Sequence, residues 1–389
     1  MNLVEVNSPQ LEKEFVEMPN GLYRDVPYYI RPLDKDVEGT FHKETNKTLR
    51  NGKVIRWILK DKNGKSIGRV AAFINEKTAS KDNDQPTGGM GFFECINDKE
   101  AAFMLFDACK NWLAEQGMEA MDGPINFGER DKWWGLLVDG FDKEPNYCCN
   151  YNFSYYKELF EAYGFKLYFN QYTYYRKTMD PLPVSVQEKA ERIARDPNYK
   201  FVYLKKNELE KFAEDFRTIY NKAWVRHKGV AQMSSLQAKA IFKKMKPLID
   251  ERIIWYGYYG EDPISFFIML PEFNQIVKHV NGKLNWLGKL KFVYHKYRKT
   301  CRKMFGVVFG VVPEHQGKGV EGAMVMATRK MVQDEYQRYD ELEMNWIGDF
   351  NPKMMRVAEH VGGTISKTHV TYRKLFDETK EFKRADMKG

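Results

Sequence analysis

The segment Phe305-Gly-Val-Val-Phe-Gly-Val-Val312-Pro313-Glu-His-Gln316-Gly317-Lys318-Gly319-Val320-Glu321-Gly322-Ala323 sets the reading of the whole chain. Its first part, Phe305–Val312, is uncharged, β-branched and aromatic, the composition of a buried strand. The glycines that follow read as a turn, and the apolar periodicity from about Glu321 to Tyr336 reads as a helix. At such a helix start, consecutive N–H groups point one way and the helix dipole adds partial positive charge, so the turn suits a pyrophosphate. It is neither G-x-x-x-x-G-K-[ST] nor a G-x-G-x-x-G in a dinucleotide-binding setting. A glycine-rich turn is also a plain structural cap, and on spacing alone both readings stand.

Working outward, the segment after this turn has an earlier twin. Asn152-Phe-Ser-Tyr-Tyr-Lys-Glu-Leu-Phe-Glu-Ala-Tyr-Gly164 leads to Thr173-Tyr-Tyr-Arg176-Lys177, and Asn351-Pro-Lys-Met-Met-Arg-Val-Ala-Glu-His-Val-Gly362-Gly363 leads to Thr371-Tyr372-Arg373-Lys374. Each is a helix start, an amphipathic run, a glycine stop and a strand. Two copies this far apart predict a duplicated domain, not a solenoid. Prolines at Asp180-Pro181-Leu182-Pro183 place the boundary, giving domains 1–180 and 181–389. Expected strands in the first copy are 54–60, 66–75 and 91–96, followed by a helix over 100–115. The second copy repeats the order with strand 201–205, helix 208–223, hairpin 253–259/264–270, strand 305–312 and strand 341–347. Mixed strands and helices in this order give an α/β (α+β) class, each unit a mixed twisted sheet flanked by helices.

Composition narrows the function classes. The 389 residues are 43% hydrophobic, 15% aromatic and 30% charged, the make-up of a folded globular protein. No apolar run approaches the roughly 20 residues of a spanning helix, and Met1–Phe15 shows no secretory pattern. Five cysteines without a C-x-x-C pair argue against a zinc knuckle and a disulfide framework, so the expectation is a cytoplasmic protein without a metal. The net charge of +9 favours acidic partners, but no nucleic-acid motif accompanies it, and nucleic acid is not expected as a partner. From Lys283 to Lys303 there are eight Lys/Arg and no acid, with Trp286, Leu290, Val293, Tyr297 and Cys301 at helical spacing. This pattern fits a basic amphipathic helix at an anionic membrane surface, which would make the protein peripheral to the inner face of the membrane. It equally fits a surface helix whose apolar face packs on its own domain.

The turn around Gln316 resembles the acyl-CoA-binding motif of the GNAT superfamily of N-acyltransferases, Arg/Gln-x-x-Gly-x-Gly/Ala after the fourth strand. Gln316, Gly319 and the strand ending Val311-Val312 match; Glu321 stands where the third small residue is usual. The Asn351–Gly363 helix and its closing strand are similar to the C-terminal half of that fold. The first copy looks like a degenerate GNAT domain, with Cys95-Ile-Asn-Asp-Lys-Glu100 in place of the glycine turn. Gly123-Pro-Ile-Asn126, Asn221-Lys-Ala-Trp224 and Pro271-Glu272-Phe-Asn274 resemble a bacterial group of tandem-GNAT proteins, some relatives of which make ceramide-like lipids. The resemblance implies acetyl-CoA or a longer acyl-CoA as co-substrate and an amine acceptor, including a sphingoid-base-like lipid amine with a long-chain donor. It places Val311, Val312, Gln316, Gly317, Lys318, Gly319, Val320 and Asn351 on the cofactor.

Acyl transfer to an amine needs a base for the amine, a polarised carbonyl and a proton for the thiolate. The tyrosine that often supplies that proton in the superfamily would fall at Ala358. Glu314, Glu343, His369 and Tyr372 are the catalytic candidates, each with an ordinary structural alternative. Asn221, Trp224, Asn274 and Asn126 are candidates for the substrate pocket, or for helix ends and turns. A non-catalytic acyl-CoA-binding or scaffold protein is the alternative functional class.

Overall fold

The structure, a computed structural model, describes residues 1–81, 83–224 and 232–386. Among the described residues thirteen strands form one continuous sheet: β1 (Asn2–Glu5), β2 (Gly52–Lys60), β3 (Ser66–Asn75), β4 (Thr87–Cys95), β5 (Ala120–Gly123), β6 (Leu136–Asp139) and β7 (Lys166–Lys177) from the first half. The second half supplies β8 (Tyr199–Tyr203), β9 (Ile254–Tyr259), β10 (Asp262–Pro271), β11 (Lys303–Val311), β12 (Glu341–Gly348) and β13 (Thr364–Leu375). The β2–β3 hairpin follows from its turn, where Asp61 Oδ1 accepts from the N–H groups of Asn63 at 2.8 Å and Lys65 at 2.9 Å.

The expected duplication is present element by element. In each half two antiparallel strands lead to a fourth-strand equivalent, β4 or β11, which runs parallel to the next strand across a helix. Those crossover helices are Lys99–Glu115 and Val320–Lys330, the second continuing as a wider turn over Met331–Tyr336. Helix Lys99–Glu115 buries Leu105, Phe106, Cys109 and Leu113 on the sheet, as its 3.6-residue periodicity predicts.

The closing strands are exchanged between the halves. The sheet order is β1-β2-β3-β4-β5-β13-β7-β12-β11-β10-β9-β8, with β6 on β13. Thus β13, last in the chain, completes the first half against β5, while β7 completes the second against β12. These two strands also pair with each other from Thr364↔Tyr175 to Arg373↔Lys166, welding the halves into one sheet. Tyr372 accordingly sits in the core of the first half and Tyr174 in that of the second. The connection at Asp180 lies between β7 and helix Val184–Arg195, while the hydrogen bonding of the sheet crosses it.

The two parallel pairs open like a V. β4 and β5 pair over Thr87↔Ala120 to Gly89↔Asp122, and β11 and β12 over Lys303↔Glu341 to Gly306↔Met344, after which the strands part. A register shift in each half, at Arg69/Ala71 against β4 and at Ile268/Met269 against β11, bends the strand where the parting begins.

Candidate functional site

The opening between β11 and β12 holds a cavity of ≈ 190 Å³, walled by Phe267, Val308, Phe309, Val325, Met344 and Met354 among others. Its lining is almost wholly apolar, with Asn345 and Asn351 as polar exceptions. Asn351 also starts the helix Pro352–His360, its Oδ1 accepting from Met354 N–H at 3.2 Å. Ala358 is fully buried in the core behind the cavity, so no hydroxyl is offered there.

The glycine turn follows β11. Val311 and Val312 are buried, and Gln316 Nε2 donates to the Val311 carbonyl at 2.9 Å, folding the turn back on the strand end. Gln316, Gly317 and Lys318 are exposed, and Val320 begins the helix, buried. Gly317 and Gly319 have φ of 71° and 106°, conformations that L side chains rarely adopt. A Cβ on Gly319 would meet Lys189 at 3.0–3.2 Å. The helix carries no side-chain cap, which leaves its first N–H groups to an external acceptor. In the first half the equivalent helix is capped by its own Asp98, whose Oδ1 accepts from Ala101 N–H at 2.8 Å. The residues of the second half therefore fit a pyrophosphate at the turn and an apolar chain in the cavity, and those of the first half do not. In the first half Tyr29, Pro32 and Phe92 close on the equivalent opening, where ≈ 50 Å³ remains.

The catalytic candidates are dispersed. Glu314 is exposed on the turn Pro313–His315. Glu343 is held in a buried ion pair: both its oxygens lie 2.9 Å from Lys367 Nζ, and Lys303 Nζ is 3.5 Å away. Burial pushes its carboxyl up, but the two lysines win and hold it below the ordinary range. His369 and Tyr372, on β13, face the first half. His369 Nε2 bonds the Asn150 carbonyl at 3.0 Å, and burial lowers its pKa to about 4, so the ring is neutral. Tyr372 donates to Glu161 at 3.0 Å. The strand exchange separates these two from the glycine turn.

The substrate candidates divide similarly. Asn221 braces the end of helix Leu209–Trp224, its amide exchanging bonds with Met233 at 2.8 and 3.0 Å. Trp224 ends that helix, and its side chain lies outside the described residues. Asn126 is buried and accepts from Phe127 N–H at 2.7 Å, in the first half. Asn274 is buried between the halves, donating to the Pro145 carbonyl at 2.8 Å. Beside it stand polar residues of the junction that the site candidates did not include: Glu272, Asn146, Asn345 and Lys367. Glu272 has a sequence signal, its place in Pro271-Glu272-Phe-Asn274; Asn146, Asn345 and Lys367 have none.

The helix Trp286–Tyr297 packs through Gly288 and Phe292 and turns the rest of its apolar residues outward. Trp286 is 69% exposed, Leu290 59%, Val293 61% and Tyr297 86%. Cys301 departs from the expected stripe: it lies past the helix, buried, with its thiol on the Glu272 carbonyl. Among the described residues no helix is long and apolar enough to cross a membrane, and no group of three or more His, Cys, Asp or Glu could hold a metal.

No family profile matches the chain. It is 25% identical over 382 residues to the bacterial ceramide synthase of Caulobacter vibrioides, covering 96% of this chain and 97% of that protein. It is 25% identical over 374 residues to protein YghO of Escherichia coli K12, covering 93% and 92% respectively. A tandem GNAT protein from the clavulanic acid biosynthesis pathway superposes with a TM-score of 0.54 at 9% identity, covering 96% of this chain and 98% of that one. The chain has the tandem GNAT fold.

Proposed function

We propose that this tandem GNAT chain is an acyl-CoA-dependent N-acyltransferase whose working site is in the second half, residues 181–389, with residues 1–180 as the degenerate half. The observation that carries the reading is the apolar cavity between β11 and β12, next to an uncapped glycine turn. Val311, Val312 and Gln316–Val320 would hold the pantetheine and pyrophosphate, and Asn351 would line the acyl arm's path. Holding thioester and amine together supplies much of the acceleration in such a reaction.

The donor is a long-chain acyl-CoA and the acceptor a lipid amine of the sphingoid-base type. The apolar lining supports the first, and the ceramide synthase relative supports the second. The exposed face of Trp286–Tyr297 supports both, because its aromatic residues and the basic run around them suit the headgroup region of an anionic membrane. The protein would then work from the cytoplasmic side, taking its acceptor from the inner face of the membrane. A second reading, an acyl-CoA-binding scaffold, is favoured by buried Ala358 in place of a tyrosine.

The deciding experiment supplies acetyl-CoA or palmitoyl-CoA with sphinganine and follows both CoA release and amide formation by mass spectrometry. Palmitoyl-amide formation is the expected result. Tight palmitoyl-CoA binding without amide from any amine would favour the scaffold.

A further inference from the structure

A buried polar cluster borders the cavity and has no part in the glycine turn. Asn345, in the cavity wall, accepts from Asn146 Nδ2 at 2.6 Å and points its own amide nitrogen at Cys149 Sγ, 3.2 Å away. The next residue, Tyr147, donates its backbone N–H to Glu272 Oε1 at 2.9 Å, and Asn274 N–H donates to the same oxygen at 2.9 Å. Glu272 Oε2 and Asn146 Oδ1 are buried and have no donor among the described residues. Glu272 is 3% exposed and Asn146 1%.

Two orphaned acceptors in one cluster are costly, since each buried acceptor without a donor loses its hydration uncompensated. The neighbouring cations do not answer them: Lys367 and Lys303 are both directed at Glu343. The chemistry that answers two acceptors is a group with two or more N–H donors. The cluster touches the cavity wall through Asn345, which Asn146 holds, and Glu272 joins it through the backbone of Tyr147.

We propose that Glu272 is the general base for the acceptor amine, with Asn146 Oδ1 accepting a second N–H and fixing its orientation. The assignment rests on the acyltransferase reading above. The acceptor arrives as an ammonium and gives one proton to the Glu272 carboxylate, which passes it to solvent. The freed nitrogen lone pair forms the C–N bond at the thioester carbonyl, the C–S bond breaks, and the second nitrogen proton leaves with the thiolate. The products are amide and CoA thiol. The first half of the chain thus lends the site its 145–150 segment, although its own cleft is closed.

The titration of Glu272 suits this task. Burial raises its pKa to about 7; Glu343 adds to the rise, while the N–H groups of Asn274 and Tyr147 and the cation of Lys303 oppose it. Cys149 and Cys301 also face it, both thiols pushed upward to about 12 by burial and so neutral. A base near the working pH is the efficient one.

The test measures kcat/KM against pH with palmitoyl-CoA and sphinganine for wild type, Glu272→Gln and Lys303→Met, with palmitoyl-CoA binding and thermal melting alongside. Wild type is expected to gain activity through a limb near pH 7. Glu272→Gln keeps an oxygen for the two backbone donors, so it should bind palmitoyl-CoA normally yet lose about 100-fold in kcat/KM, with the limb gone. Lys303→Met removes a cation that favours the Glu272 anion and should move the limb upward. Glu272→Gln activity within about threefold of wild type, with the same limb, overturns the assignment and leaves the acyltransferase reading intact. If that variant does not fold, an unmoved limb in Lys303→Met overturns it instead. Wild type that acylates no amine at all refutes the parent reading, and this assignment with it.

Discussion

Replacing Lys367 by Met should unfold this protein several degrees early, and the structure sets the size of the effect. Lys367 is 2% exposed at its side chain, Glu343 1%, and both carboxylate oxygens lie 2.9 Å from the ammonium. Removing one partner of such a pair costs about 3–5 kcal/mol, because the other is left charged in a low-dielectric site. Lys303 remains 3.5 Å from Glu343, which puts the expected loss near the low end, about 3 kcal/mol. With an unfolding entropy of about 2.1 cal/mol/K per residue, that lowers Tm by about 4 °C if the whole chain melts as one unit and about 7 °C if one half does. Glu343→Leu should cost a similar amount, since Lys367 then lacks its anion, while Lys303 keeps Glu341 at 3.7 Å. The double variant should recover at least 2 kcal/mol of the summed loss, by the logic of a double-mutant cycle. Urea unfolding of all four proteins, with calorimetry, measures this. The pH dependence has a definite sign. Glu343 is held below its unfolded value, so its contribution is present above the ordinary carboxylate pKa and lost as pH falls through the lower folded one. Additive single-variant losses, or singles each under about 1 kcal/mol, would refute the view that this pair ties β13 to β12.

The remaining predictions concern the acid limb, the cavity, the turn and the surface helix. His369 is neutral in the fold with a pKa near 4, against 6.5 when free, so the unfolded chain alone takes up a proton as pH falls from 6.5. Stability should drop by about 2 kcal/mol between pH 7 and pH 5, and urea midpoints for His369→Gln should lack most of that drop. Met354→Trp fills the cavity and should cut palmitoyl-CoA turnover at least about tenfold relative to acetyl-CoA; equal losses on both donors would place the acyl chain elsewhere. Gly319→Glu puts a side chain at φ 106° and a negative charge at the uncapped helix start, and calorimetry should show acyl-CoA binding weakened by at least about tenfold. Co-sedimentation with phosphatidylglycerol vesicles should fall sharply for the Trp286→Glu/Leu290→Glu variant and with added salt, and stay unmoved for Val202→Glu, on an exposed apolar residue of β8.

Much of the fold was legible because it is local. The strand 66–75 and the hairpin around Asp61–Gly64 follow from alternation and turn chemistry, which act over a few residues. The glycine turn was legible for the same reason: helix start, positive-φ positions and preceding strand are contiguous in sequence. The two amphipathic helices ending in glycine announced the duplication, and the structure bears it out in matching order.

What chain order could not convey is which surfaces meet. β7 and β13 have the same length and similar composition, and either half could have closed its own sheet; their exchange is a choice between pairings of like local propensity, made by packing over the whole sheet. That choice sent His369 and Tyr372 to the first half. It also set Lys367 on Glu343, turning an expected base into an ion pair. The outward face of Trp286–Tyr297 was likewise undecided, since periodicity marks an apolar stripe but not whether a partner covers it. The junction of Glu272, Asn146 and Asn345 draws on positions more than a hundred residues apart, so no spacing rule could gather them. The sequence by itself determined the duplicated elements and the glycine turn, because short-range hydrogen bonding and periodicity encode both. The exchange of strands, the apolar cavity between parted strands and the polar junction beside it were decided by the tertiary structure, because burial and partnership are properties of the assembled sheet.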